Sequence, residues 1–128
     1  MNNKLGSILF ITITLSIGVS TYILFRPPLY WFPKIDNWNT AIINISWLPS
    51  LLSSFILYHL SDVMWALALT ETLYIIKNNL LFAVLITFVL TLLFEVMQYF
   101  MIVRGTGDIL DIIFVSISLS IYYLIRKE

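Results

Sequence analysis

Apolar residues run along this chain in long stretches, and the polar residues between them are few enough to read singly. A helix that crosses a bilayer needs about 20 apolar residues. Leu5–Phe25 is the first such run, with Lys4 before it and Arg26, Pro27 and Pro28 after it. The prolines end it, because they lack the backbone donor and disfavour helix at the preceding residue. Gly18, Val19 and Ser20 resemble a cleavage site, but the run is long for a signal peptide, so a retained anchor is expected. Trp47–Ile76 is too long for one simple span and is interrupted at His59-Leu-Ser-Asp62. Ser61 or Asp62 would serve as an N-cap. The pattern therefore predicts a short interfacial or re-entrant helix over Trp47–Tyr58 and a second span over Asp62–Ile76. The alternative is one tilted helix with His59 and Asp62 buried in it. Lys77-Asn-Asn79 reads as a tight turn, Leu80–Met101 as the third span, and Ile109–Ile125 as the fourth.

Residues 27–49 form the one substantial connection, and with the short helix to Tyr58 they make an interfacial segment over 27–58. Its first part carries Tyr30, Trp31, Phe32 and Trp38 among prolines and asparagines. Trp and Tyr favour the membrane–water boundary, so an interfacial segment is expected. The predicted fold is an all-α, four-transmembrane-helix bundle in a single membrane domain, residues 1–128.

Composition agrees with this. The chain of 128 residues is 60% hydrophobic and 11% charged. A soluble domain is about 45–50% apolar and about 25% charged. This excludes a soluble enzyme and a disordered chain. Seven basic and seven acidic residues cancel, which leaves no basic excess for nucleic acid. Without cysteine there is no disulfide or thiolate chemistry. His59 is the single histidine, which rules out a multi-histidine metal site within one chain. No cofactor and no metal site are expected.

With four spans, both termini and the Lys77 turn share a side. That side holds Lys4, Lys77, Arg126 and Lys127, against Arg26, Lys34 and Arg104 on the other. The bias places both termini in the cytoplasm.

Residues three, four and seven apart share a helix face. Thr87, Thr91, Glu95 and Gln98 form one stripe, and Asp108, Asp111, Ser118 and Tyr122 another. Ser7, Thr14, Gly18 and Thr21 make a third stripe, suited to close helix packing. Charges inside a membrane are costly, about 2.5–3.5 kcal/mol at the centre on insertion scales, so they must be neutral, paired or facing a wet cavity. Asp62, Glu95, Gln98, Arg104, Asp108 and Asp111 converge at the predicted extracytoplasmic end. Four acids against Arg104 leave a formal excess of three negative charges. Such an end attracts a cation, an ammonium group or sugar hydroxyls. Asp62 and Asp108 have a second explanation as helix N-caps. His59 reads as a structural interfacial histidine, with a proton shuttle as the second reading. Glu71 stands apart: either Lys77 pairs with it or both side chains snorkel.

The run Glu95-Val-Met-Gln98, then Arg104-Gly-Thr-Gly-Asp108-Ile-Leu-Asp111, resembles the VanZ-like family of small membrane proteins. Asp62 and Trp65 look like a further element of its short relatives. The resemblance implies a multi-pass protein of the bacterial cytoplasmic membrane, tied to the cell envelope and to resistance to the glycopeptide teicoplanin. It makes Glu95, Gln98, Arg104, Asp108 and Asp111 the site residues. With His59, Asp62 and Trp65 they form the candidate ligand-binding set. The expected partners are membrane lipids and an envelope lipid headgroup or glycan-like ligand. Other readings stay open: a small oligomeric transporter or flippase component, an accessory or immunity-type membrane protein, and, less favoured, a membrane enzyme using paired carboxylates.

Overall fold

The computed structural model describes residues 4–25, 45–103 and 107–127. It holds four helices long and apolar enough to cross a membrane: α1 (Lys4–Phe25), α2 (Ser50–Lys77), α3 (Leu80–Tyr99) and α4 (Ile109–Lys127). No strand occurs among the described residues. The expected interfacial segment lies mostly in 27–44, outside the described residues.

The expected break before the second span is absent. Residues 50–77 run as one helix: α-helical over Ser50–Ser54, π-helical over Phe55–His59, then α-helical over Leu60–Lys77. Ser61 and Asp62 therefore lie inside a helix and not at its start. The polar interruption is absorbed by one widened turn instead of a break. Its neighbours supply the reason, since Phe55 and His59 both pack on Phe114 of α4, with ring centroids 4.9 Å apart in each case. The alternative of one continuous helix describes this segment, with His59 buried and Asp62 half-buried.

The α2–α3 turn forms where expected. Asn78 takes the left-handed conformation, φ 50°, that asparagine tolerates and a helix C-terminus uses. The Asn79 side chain then accepts from Phe82 N–H at 3.0 Å and caps α3. At its far end α3 closes with the paired bonds of a Schellman motif. Ile102 N–H donates to Met97 O, and Met101 N–H to Gln98 O, both at 2.9 Å. Met101 occupies the left-handed position at φ 56°.

Helix α2 is central and packs against each of the others. The α1 stripe of Ser7, Thr14, Gly18 and Thr21 is buried, as its spacing predicts. Gly18 lets the helices approach closely: a Cβ there would sit 3.3 Å from Met64 Cβ. Thr14 and Thr21 return their hydroxyls to the carbonyls of Phe10 and Ile17, so burial leaves no donor unpaired. Between α2 and α4 lies a small apolar core of Val63, Ala66, Val115 and Leu119. Thr70 of α2 donates to Thr87 of α3 at 2.9 Å, both fully buried. Small and hydroxyl residues thus line much of the interfaces beside this apolar core. The outward faces carry exposed Ile, Leu, Val and Phe along every helix. That inversion is the pattern a lipid solvent demands.

Candidate functional site

The polar stripes of α2, α3 and α4 meet at the end of the bundle away from the termini. His59 sits on the π turn of α2, and Asp111 on the first turn of α4. Their side chains meet, with Nδ1 2.5 Å from Oδ1, and both residues are buried. A π turn admits one extra residue and shifts the side chains around it, a recurrent device at functional positions. Here it coincides with the residue that is turned onto α4.

Glu95 approaches from α3. Its Oε2 accepts from the Asp108 backbone N–H at 2.9 Å. That bond depends on Gly107, where a Cβ would lie 2.8 Å from Tyr99 N and 2.9 Å from Glu95 O. Any side chain at 107 would thus collide with backbone, so glycine permits the chain to pass over the end of α3. Asp108 in turn caps α4, its Oδ1 accepting from Leu110 N–H at 2.9 Å. The N-cap reading of Asp108 is therefore right, but it uses one oxygen of two. Asp62, Asp108 and Asp111 all lie near enough to Glu95 to interact with it electrostatically. The end is an acidic concentration and not a set of separate caps. His59, Asp108 and Asp111 each offer a ligand atom, and these atoms lie within 4.8 Å of one another.

The remaining candidates take different places. Gln98 is half-buried on the last turn of α3. Trp65 lies toward α1: it is half-exposed and lines an apolar groove of 290 Å³ with Val19, Tyr22 and Ile23. Arg104 lies outside the described residues.

A second polar cluster, at the opposite end, escaped the sequence reading. Glu71 is 1% exposed. It accepts from the Tyr122 hydroxyl and from the Arg126 guanidinium of α4. Arg126 also donates to Ser7 Oγ of α1 at 2.8 Å and lies over the Tyr74 ring, 5.6 Å from its centroid. The ion partner of Glu71 is thus Arg126 and not the expected Lys77, which lies at the exposed end of α2. Tyr122 shares the stripe of Asp111, but serves this second cluster. The signal was present in helix depth. Tyr122 follows Asp111 by eleven positions, about 16 Å along an axis rising about 1.5 Å per residue.

These contacts tie Ser7, Glu71 and Arg126 to one end, so the start of α1, the α2–α3 turn and the close of α4 share a side. No family model, curated protein or solved structure matches the chain.

Proposed function

We propose that this is a VanZ-like, multi-pass protein of the bacterial cytoplasmic membrane, with an acidic polar site at the extracytoplasmic end that binds an envelope ligand. The ligand class is a lipid headgroup or glycopeptide-like molecule bearing hydroxyl or ammonium groups. The observation that carries the reading is the meeting of His59 with Asp111, and of Glu95 with Asp108, at one end of the bundle. Intramembrane acids are expensive and persist where they serve a function. Packing alone needs only hydroxyls and small residues, as the α1–α2 interface demonstrates. An acidic site selects for cations, ammonium groups and hydroxyl donors, and repels bare phosphate. Both termini are assigned to the cytoplasm.

The test is growth of a bacterium carrying the chain under teicoplanin and other envelope stress, with Glu95→Gln, Asp108→Asn and Asp111→Asn at equal membrane levels. Each variant is expected to lose the tolerance that the unaltered chain confers. Full tolerance in all three would overturn the reading.

A further inference from the structure

We propose that His59, Asp108 and Asp111 form a three-ligand site for a divalent transition-metal ion, Zn²⁺ or Mn²⁺. The proposal deepens the site reading above and rests on it, naming what the acidic end holds first. One imidazole and two carboxylates come from two different helices, and their ligand atoms lie within 4.8 Å of one another. Ligand atoms about 2.1 Å from a shared ion stand about 3.4 Å apart at the tetrahedral angle. The widest pair therefore has up to about 1.4 Å to close, within reach of side-chain rotation. The donor type decides the class of ion. Calcium and magnesium prefer oxygen ligands throughout, whereas an imidazole among carboxylates suits zinc and manganese.

Charge supplies an independent reason. Glu95, Asp108 and Asp111 bring three formal negative charges together at this end. A divalent cation removes most of that charge. His59 and Asp111 are 5% and 8% exposed, so the ion would sit where water screens little. Glu95 then has a definite task. Through the Asp108 N–H it fixes the loop that delivers one ligand, as outer residues do around metal centres. Three protein ligands leave coordination positions open. An open position accepts an oxygen from a sugar or a phosphate, so the ion would let an acidic site hold an anionic headgroup that it otherwise repels.

The experiment uses the full chain in detergent, stripped with chelator. Zn²⁺ is titrated calorimetrically, and Mn²⁺ by loss of its free-ion electron paramagnetic resonance signal. One ion per chain is expected. His59→Gln and Asp108→Asn are each expected to weaken binding at least about tenfold. Lys77→Ala, at the other end, should leave it unchanged. Asp108 is the less buried ligand, so Asp108→Asn stays informative if His59→Gln unfolds. No saturable uptake of either ion, or unchanged affinity in both variants, overturns the site. If the chain takes up no ion while Asp111→Asn still abolishes tolerance, the metal falls and the ligand site stands. If the ion binds while the site variants keep full tolerance, the metal stands and the envelope role falls.

Discussion

Arg126, two residues from the end of the chain, donates to the carboxylate of Glu71, which stands 55 positions earlier and is almost wholly buried. The pair joins the last helix to the central one, and Ser7 brings in the first. Removing one partner of a buried ion pair leaves an uncompensated charge, at a cost of about 3–5 kcal/mol. Arg126 is the more exposed partner, so the lower end applies. Arg126→Ala is expected to lower the thermal midpoint in detergent markedly. The double variant Glu71→Gln with Arg126→Gln should be less destabilised than the two single effects added together, measured as a double-mutant cycle.

Two glycines make opposite predictions for the same substitution. At Gly107 a new methyl group meets backbone atoms of Tyr99 and Glu95 within 3.0 Å, and backbone cannot rotate aside. Gly107→Ala is expected to break the Glu95–Asp108 bond and weaken ligand or ion binding. At Gly18 the nearest atom is Met64 Cβ at 3.3 Å. Two helices sliding by a few tenths of an ångström relieve that, so Gly18→Ala should change stability by less than about 1 kcal/mol. Thermal unfolding of the two variants side by side checks the contrast.

Hydroxyls also divide into two kinds. Ser61 Oγ is buried and makes no hydrogen bond, an arrangement that costs about 1–3 kcal/mol. Ser61→Ala should therefore be neutral or stabilising. Thr70 links α2 to α3 through Thr87, and such bonds are worth about 0.6 kcal/mol in a membrane. Thr70→Val should be destabilising by about that amount, with little further loss when Thr87→Val is added. A stabilised Thr70→Val would contradict the assignment of the link.

The absence of cysteine gives a clean topology experiment. Single cysteines at Lys4, Asn78 and Lys127 are expected to react with an impermeant maleimide from one side of a sealed membrane. A cysteine at Ile102 should react from the other. Labelling of Asn78→Cys and Ile102→Cys from the same side would overturn the crossing of α3.

The long apolar helices and their inward stripes were legible because both are written in residues of few types at helical spacing. Ser7, Thr14, Gly18 and Thr21 lie on one face whatever α1 packs against. The continuity of α2 was legible only as the second of two readings. His59, Ser61 and Asp62 carry the composition of a helix start, and the contacts of His59 with α4 accompany a helix that runs through them. The Glu71 cluster was hidden for a different reason. Arg126 and Lys127 sit at a helix end where basic residues normally mark topology, and Arg126 reads as such a marker. Its reach across the bundle to a buried acid has no signature in local sequence.

The π turn at Phe55–His59 leaves α2 one residue longer than its path requires. It has the form of an accommodated insertion. Deleting a single residue from the turn would restore ordinary pitch without breaking the helix, because the widened turn already absorbs the extra residue. Ser50–Ser54 and Ser61–Lys77 would both keep their present faces. An alignment that carries a one-residue gap within 55–59 is therefore the physically correct one for any related chain whose helix is regular there. A gapless match would put the wrong residue opposite His59.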